Sequence, residues 1–340
     1  MKQAIYDAIK RSKTELPRPH LGASIIGEKC RRKIWLSFRW AIGSDFDGRL
    51  LRIFRRGHQE EPNVIADMRL AGVVFANPSQ LSQVGFKDGH FAGSADNVIL
   101  SGLPEYAGQY PLLLEIKTSN KARFVELEKD GLRKAKPQHY AQMQVYMLKL
   151  GLLAGLYFCV CKDDDNIYTE TIALDTDFAM LLTEKAHDIA TSDHMPPPLS
   201  ENPTWYECKM CNYHAFCHKT RITNSVNCRT CAKSTAKRDG DWFCEHWQDN
   251  IPVHAQYNAC RAHVLHPELV PWSVIGQTET SITYQIAGNP ALNGHDGFAS
   301  TEILANPELC AQQDAVVAFL RDNMGGEITE SSSETISSAR

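Results

Sequence analysis

The sequence predicts an α/β protein in which helices flank a mixed β-sheet. The apolar run 112–114 follows Pro111 and is closed by polar residues, which is typical of a buried strand. The segment 137–150 begins with a proline and places its apolar residues at helical spacing, which indicates a helix. Short strands upstream of this buried strand and further strands after the helix complete the pattern of a sheet covered by helices.

The remaining elements follow from the same patterns of spacing and punctuation. Residues 1–20 predict an amphipathic helix that ends at Pro17 and Pro19. Further helices are predicted at 24–40, 46–70, 120–136, 178–190 and 310–322, and strands at 73–75, 83–86, 89–100, 110–119, 156–162, 167–172 and 273–286. The tail from residue 325 is rich in Ser, Thr and Glu and cannot bury a core, so we expect it to be disordered.

The buried strand carries the candidate catalytic residues. Side chains alternate along a strand, so Glu115 and Lys117 point to one face and Ile116 to the other. The predicted strand 89–100 brings Asp96 alongside, which places two carboxylates and a lysine in one pocket. Like charges held this close need a cation, and oxygen ligands favour Mg²⁺ or Mn²⁺. Lys117 can then polarise an attacking water, which points to phosphodiester cleavage. The structural alternative is a Glu115–Lys117 salt bridge on a solvated edge.

Two helices offer further candidates. His58 follows a glycine in a predicted helix and is either a hydrogen-bonded core residue or a third metal ligand through a ring nitrogen. Gln138, Gln142 and Tyr146 lie four residues apart and so share one helix face. That face is either a polar surface stripe or a wall of the pocket. In the second case Gln142 and Tyr146 would contact metal-bound water or the DNA backbone.

The charge of the chain is slightly negative and unevenly distributed. Its 36 Lys and Arg against 40 Asp and Glu give a net charge of −4. Residues 1–59, however, hold 14 Lys and Arg against 5 Asp and Glu. Phosphates respond to local potential, so net acidity does not exclude a nucleic-acid substrate. The predicted DNA-binding residues are Arg31, Arg32, Lys33, Arg55 and Arg56.

Composition argues against a membrane protein. No stretch is long and apolar enough to span a bilayer, and the N-terminus lacks the apolar core of a signal peptide. The 11 cysteines of a chain without such a leader point to bound metal rather than disulfides. We therefore expect a cytoplasmic protein, located in the host cytoplasm if a phage encodes it.

Three cysteines with metal-ligand spacing follow a proline-rich loop. They are Cys208, Cys211 and Cys217, and their Cys-x2-Cys-x5-Cys pattern lacks a fourth ligand nearby. Cys30, far upstream on a basic and aromatic segment, completes the set. Four thiolates suit either Zn²⁺ or a [4Fe-4S] cluster, and spacing does not separate the two.

A second cysteine group lies further along the chain. Its Cys-x2-Cys-x12-Cys-x15-Cys pattern predicts a small zinc-bound module, with free thiols as the alternative. The four residues are Cys228, Cys231, Cys244 and Cys260. His246 and His263 compete as ligands. Cys159 and Cys161 alternate with apolar residues on a predicted strand, and we expect them to be core thiols.

Taken in chain order, these residues resemble the RecB-like branch of the PD-(D/E)XK nucleases, and specifically its iron–sulfur members. That group includes the exonuclease of CRISPR adaptation and the nuclease of bacterial helicase–nuclease complexes. The nuclease motifs are matched by His58, Asp96, Glu115-Ile116-Lys117 and Gln142-x3-Tyr146. The cluster cysteines are matched by Cys30, Cys208, Cys211 and Cys217, and the whole resemblance covers residues 20–220.

The resemblance implies a restriction-endonuclease-like core and a metal-dependent DNA exonuclease. It implies Mg²⁺ or Mn²⁺ on His58, Asp96, Glu115 and the carbonyl oxygen of Ile116. It also implies a [4Fe-4S] cluster, rather than zinc, on the first cysteine set. The substrate would be single-stranded DNA or DNA with free ends, processed in recombination, repair or phage DNA metabolism. The enzyme would act alone, as a homo-oligomer or with a recombination or replication protein.

The expected domains are a nuclease domain at 1–220, a Cys-rich domain at 221–323 and a tail at 324–340. The C-terminal half departs from the family pattern. Two other hypotheses therefore remain open. One is a non-catalytic DNA-binding or assembly protein with structural metal sites. The other is a sequence-specific endonuclease that uses the C-terminal module as a reader.

Overall fold

A computed structural model of the protein describes residues 1–12, 16–43, 46–77, 84–106 and 108–324. The helices are α1 Lys2–Arg11, α2 Arg31–Phe38, α3 Gly48–Leu70, α4 Lys121–Ala135, α5 Pro137–Leu150, α6 Thr176–Thr191, α7 Tyr206–Lys209, α8 Val253–Gln256, α9 Ser300–Ala305 and α10 Pro307–Met324. The strands are β1 Leu21–Gly22, β2 Val74–Phe75, β3 Val84–Asp88, β4 Phe91–Ala95, β5 Asn97–Ser101, β6 Leu112–Ser119, β7 Ala154–Cys161, β8 Ile167–Ala173, β9 Ser234–Ala236, β10 Trp242–Cys244, β11 Asp249–Ile251, β12 Ser273–Gln277, β13 Ser281–Ile286 and β14 Asn289–Gly294.

The main sheet has five strands in the order β2-β5-β6-β7-β8. β6 is its middle strand and pairs antiparallel with β5 and parallel with β7, across the helical connection α4–α5. A smaller sheet, β1-β4-β3, lies beside it. Helices cover both faces, so the predicted fold class, a mixed sheet flanked by helices, is confirmed.

β6 separates two apolar cores because its side chains alternate. Leu112, Leu114 and Ile116 face a core that includes residues of α3, such as Val64 and Ile65. Residue 113 belongs to the other core, with side chains of α2, α5 and α6. The same alternation directs Glu115 and Lys117 of β6 toward α5.

α5 has the bounds that the sequence predicts. Pro137 occupies its first turn, where the missing N–H costs nothing, and Gly151 ends it in the left-handed conformation with φ 68°. The predicted helix 120–136 is observed as α4, but Gly131 interrupts it with φ 71°. Buried side chains on both helices pack against the sheet and fix the wall that faces β6.

Several predicted elements differ in extent. The predicted strand 89–100 is two strands, because the chain leaves the smaller sheet at Asp96 and enters the main sheet as β5. The predicted helix 24–40 starts only at Arg31, with Cys30 as its N-cap. The predicted strand 273–286 is the antiparallel pair β12–β13. Most of the predicted disordered tail lies outside the described residues, as does residue 83 of the predicted strand 83–86.

The C-terminal part contributes two three-stranded sheets, β11-β10-β9 and β12-β13-β14. Trp242 of β10 and Leu269 are buried in the main core together with residues of α2. A separate apolar core lies under β13, β14 and α10. The Cys-rich segment is therefore packed into the same core as the N-terminal half. Of the helices described here, none has both the length and the apolar character needed to cross a membrane.

Replacing Leu114 by Ala should destabilise the protein by about 2–5 kcal/mol, because it leaves a cavity under the middle strand. Chemical denaturation of the full chain measures this loss. Leu153→Ala is the matched control, since that leucine is 79% exposed just before β7 and should change stability by less than about 0.5 kcal/mol. Equal losses in the two variants would contradict the assignment of β6 to the core.

Candidate active site

The second half of β6 carries an acid and an amine in contact. Glu115 is 1% exposed and forms an ion pair with Lys117, whose Nζ also donates to the carbonyl oxygen of Ile116 at 3.2 Å. The backbone N–H of Ile116 donates to Oδ2 of Asp96 at 2.6 Å. The structure therefore brings Asp96, Glu115 and Lys117 into one cluster. The alternative of a solvated surface salt bridge is wrong, because the acid is buried on the middle strand.

Burial dominates the electrostatics of this cluster. Burial raises the pKa of Glu115 to about 7; Lys117 opposes that shift, whereas Asp96 and Glu61 add to it. Burial also raises the pKa of Asp96, again against the attraction of Lys117. Burial by itself would lower the pKa of Lys117, but Glu115 and Asp96 reverse the direction and keep the ammonium charged. The single ammonium group of Lys117 therefore compensates only part of the negative charge that the desolvated carboxyl groups carry when they are ionised.

One oxygen atom marks where a cation fits. Within the described part of the chain, Oε2 of Glu115 is buried and has no hydrogen-bond partner. A buried polar atom without a partner is costly, and a carboxylate oxygen more so. A hard divalent cation satisfies such an oxygen, and the Asp96 carboxylate lies within electrostatic reach of Glu115, whose pKa it raises. The residues present therefore fit a Mg²⁺ or Mn²⁺ ion.

Helix α3 adds a carboxylate that sequence analysis missed. The helix passes beside the end of β6, since a Cβ added at Gly57 would lie 3.9 Å from Oγ1 of Thr118. Burial raises the pKa of Glu61, and Asp96 raises it further, while His58 opposes. Sequence spacing could have revealed Glu61, because it follows His58 by three residues and therefore shares the same face of the helix.

His58 itself lies at the edge of the cluster. Its side chain is exposed on α3, so the alternative of a core histidine is wrong. Its positive charge would lower the pKa values of both Glu61 and Asp96, which places the imidazole within electrostatic reach of the two acids. The structure therefore keeps His58 near the candidate metal site.

Gln142 and Tyr146 of α5 form a buried wall beside the acidic cluster. Nε2 of Gln142 donates to the Tyr146 hydroxyl at 3.5 Å. Burial raises the pKa of Tyr146 to about 12, with Glu115 as the next cause, so the phenol stays protonated beside the acid. Gly93 of β4 makes room for the ring, because a Cβ there would lie 2.6 Å from Cε1 of Tyr146. Gln138 is exposed and does not belong to this wall.

His139 of α5 is a second residue near the site that sequence analysis missed. Nδ1 of His139 is 2.9 Å from the hydroxyl of Tyr157, which sits opposite Glu115 in the β6–β7 pairing. Burial lowers the pKa of His139 to about 3, and Lys117 lowers it further, so the imidazole is neutral. A single histidine in an amphipathic helix gives no distinguishing pattern, and only the register of β7 reveals its neighbour.

The predicted DNA-binding residues on α2 are engaged within the protein. Arg32 is buried, and its Nε donates to the carbonyl oxygen of Pro196 at 2.7 Å. Arg31 and Lys33 each form an ion pair with an acid of the same protein, at 3.4 Å and 2.5 Å. The prediction that Arg32 contacts DNA is wrong, because a count of charges along the chain does not reveal burial.

Basic residues on α3 have the exposure that a phosphate contact needs. Arg55 and Arg56 are exposed just before His58, although Nη2 of Arg56 also donates to the carbonyl oxygen of Lys162 at 2.8 Å. Phe54, which is 42% exposed, precedes them on the same helix. Exposed basic and aromatic side chains thus lead along α3 toward the acidic cluster.

The first cysteine set lines one small cavity, although its members come from distant positions. The lining includes Cys30, Cys208, Cys211 and Cys217. The backbone N–H of Lys33 donates to Sγ of Cys30, and that of Tyr213 to Sγ of Cys211, both at 3.4 Å. Hydrogen bonds of this kind are among the features that tune sulfur ligands in iron–sulfur centres. Burial raises the pKa of Cys211 and Cys217, so their ionisation needs a metal ion that displaces the proton.

The second cysteine set lines a cavity of its own in the C-terminal part. Its lining includes Cys228, Cys231, Cys244 and Cys260. In the described residues, no three His, Cys, Asp or Glu side chains already have the arrangement of a metal site. This holds for the acidic cluster and for both cysteine sets. The cysteines of each set line a common cavity.

Comparison with known proteins finds similarity at the level of solved structures alone. No family model and no curated protein matches the chain. The alkaline exonuclease LHK-Exo from Laribacter hongkongensis is 17% identical, with a TM-score of 0.38 over 55% of this chain and 89% of that one. Its complex with dAMP is 16% identical, with a TM-score of 0.39 over 55% and 89% of the two chains. SSO0001 is 15% identical, with a TM-score of 0.39 over 64% and 95%. The chain is similar to these structures at low scores, and its own side chains must decide its function.

Proposed function

We propose that this protein is a Mg²⁺- or Mn²⁺-dependent DNA nuclease that degrades DNA from an end. The observation that carries the proposal is the buried cluster of Asp96, Glu115 and Lys117, with its orphaned carboxylate oxygen. Buried acids with raised pKa values destabilise a fold, and proteins retain them chiefly at functional sites. A divalent cation removes this cost. No such compensation would be needed at a purely structural ion pair.

The residues divide the chemistry among themselves. Asp96 and Glu115 would hold the metal ion, with the carbonyl oxygen of Ile116 and the ring of His58 as further ligands. A bound Mg²⁺ or Mn²⁺ supplies Lewis-acid stabilisation of the charge that develops on the phosphate. Lys117 would hold the attacking water in line, so that its oxygen bonds to phosphorus while the bond from phosphorus to the leaving oxygen breaks. The water gives up a proton to solvent, and the leaving oxygen takes one from solvent to become a hydroxyl group.

The α5 wall closes the pocket behind these groups. The Tyr146 phenol and the Gln142 amide are fixed donors, because each is buried and held by the other. They orient the phosphate or the attacking water through hydrogen bonds and exclude bulk solvent. Arg55 on α3, next to the exposed ring of Phe54, would hold the DNA strand by phosphate contact and base stacking. Such an activity serves recombination, repair or phage DNA processing.

Glu115→Gln and Lys117→Ala should each lower cleavage by roughly 100-fold or more, because each removes one charge from the reacting centre. The measurement is degradation of end-labelled DNA with Mg²⁺ or Mn²⁺, with DNA binding assayed in parallel and expected to persist. Glu115→Gln keeps the shape of the side chain and removes a buried charge, so its Tm should not fall.

The control for these variants is Lys121→Ala, which removes an exposed lysine just beyond β6 that pairs with Asp164 at 2.6 Å. It should cleave like the wild type. Undiminished cleavage by either test variant would refute the catalytic assignment. A wild-type protein that binds DNA but cleaves none with either metal would establish the non-catalytic hypothesis instead.

Closed circular DNA should stay intact under conditions in which linear single- or double-stranded DNA is degraded to small products, because an exonuclease needs an end. Gel analysis of both substrates with the wild-type protein distinguishes the two modes. Nicking or linearisation of the circle, absent in Lys117→Ala, would replace the exonuclease proposal by an endonuclease.

We propose further that Cys30, Cys208, Cys211 and Cys217 hold a [4Fe-4S] cluster. All four line the same cavity, and backbone donors point at two of the sulfurs. The cluster would tie α2 to the segment after α6, so that the two ends of the nuclease fold are held together.

Cys211→Ser should lose iron and the broad visible absorption of the anaerobically purified protein, because one of four thiolate ligands is gone. Iron and sulfide analysis gives the stoichiometry. Cys161→Ser is the matched control, since Cys161 is a buried thiol of β7 and lines neither cysteine cavity. A colourless wild-type protein whose zinc depends on Cys211 would assign a structural zinc ion to this set.

A further inference from the structure

A buried cation connects the second cysteine set to the N-terminal half. Arg229 lies between Cys228 and Cys231 and is 1% exposed. Its guanidinium crosses into the N-terminal half, where it donates to the carbonyl oxygens of Phe38 at 2.9 Å and Pro19 at 2.6 Å. The Cys-rich turn therefore inserts a positive charge into the core.

The hydrogen-bond partners of this cation are neutral. Nε and Nη2 of Arg229 donate to Oε1 of Gln256 at 3.0 and 2.7 Å, and the guanidinium carbon lies 3.8 Å from the centroid of the Trp40 ring. Burial lowers the pKa of Arg229 to about 9, and neighbouring Arg39 is among the groups that lower it. Asp193 forms an ion pair with Arg39 at 3.1 Å. Two desolvated guanidinium groups thus share little negative charge, although burying an uncompensated charge is costly.

Two sulfur atoms of this cysteine set accept hydrogen bonds from the backbone. Sγ of Cys231 accepts hydrogen bonds from the backbone N–H groups of Lys233 and Val264, both at 3.4 Å. Sγ of Cys244 accepts from the N–H of Trp247 at 3.5 Å. Burial outweighs these bonds at Cys231 and raises the pKa of its thiol to about 12, so its ionisation needs a metal ion that displaces the proton. The Cys231 sulfur lies within electrostatic reach of the buried Arg39.

Cysteine ligands fit this cavity better than the histidine at its wall. His263 is buried, with Nδ1 2.7 Å from Oγ of Ser300 and Nε2 3.0 Å from the carbonyl oxygen of Asn227. Both ring nitrogens are therefore engaged, and the expectation that His263 competes as a ligand is wrong. Cys260 lies on the exposed loop after α8, at the rim of a cavity of about 450 Å³.

We propose that Cys228, Cys231, Cys244 and Cys260 bind a thiophilic metal centre, either a Zn²⁺ ion or an iron–sulfur cluster, whose negative charge compensates the buried Arg39 and so relieves its repulsion with Arg229. Four thiolates around Zn²⁺ carry a net charge of about −2, and so do four thiolates around a [4Fe-4S]²⁺ cluster. The centre would fasten the C-terminal module to α2 by electrostatic attraction as well as by packing. It does not depend on nuclease activity.

Metal content per chain tests the ligand set. Cys260→Ser and Cys231→Ser should each lose about one zinc, or about four irons, relative to the wild-type full chain. Elemental analysis and visible absorption decide which metal is lost. The Cys260→Ser variant should fold even if Cys231→Ser does not, because the Cys260 side chain is exposed. Cys310→Ser is the control, since this buried thiol belongs to the core under α10 and should leave the metal content unchanged. Wild-type metal content in both test variants would overturn the proposal.

A double-mutant cycle tests the compensation of charge. Arg39→Gln should lower the Tm more in the wild type than in Cys260→Ser, because Arg39 has already lost its anionic neighbour in the second background. Circular dichroism melts of the four proteins give the coupling directly. Additive Tm changes would show that the metal centre and Arg39 act independently, and would overturn that half of the proposal. Loss of nuclease activity affects neither readout.

Discussion

The desolvation of Glu115 on the middle strand is the constraint on which the candidate site depends. A carboxylate in that position can stay ionised only if positive charge comes to it, and Lys117 is the ammonium that the strand itself supplies. The negative charges of Asp96 and Glu61 disfavour the ionised form of Glu115 further and raise its pKa. The surrounding structure serves this arrangement: β7 and β5 hold the strand from both sides, and α5 closes the face to which the acid points.

Much of this arrangement follows from the local pattern. The alternation along β6 fixes Glu115 and Lys117 on one face without knowledge of the fold, because the period of a strand is 2. The proline and glycine that bound α5 give its length, and its four-residue spacing places Gln142 with Tyr146. These are signals within one element, where short-range geometry determines the outcome.

What the sequence could not provide depends on contacts between elements. The sequence placed Asp96 in the site, but it did not show that the chain passes from one sheet to another at this residue, because the hydrophobic alternation continues through that point. His139 contacts Tyr157, which β7 places next to it. The register of the parallel β6–β7 pair that sets this position cannot be predicted from either segment alone. Arg32 illustrates the same limit for charge, since its neighbour Pro196 comes from a loop far along the chain.

The buried position of Arg229 affects how the chain folds during its synthesis. Pro19 and Phe38 leave the ribosome long before the arginine that hydrogen-bonds to them, which follows Pro19 by 210 positions. The N-terminal half emerges first, so the carbonyl oxygens of Pro19 and Phe38 and the ring of Trp40 lack this partner until residue 229 has been made. A product that ends before residue 229 would also lack Trp242 and Leu269 of the shared core, and quality-control proteases would recognise the apolar surface left exposed.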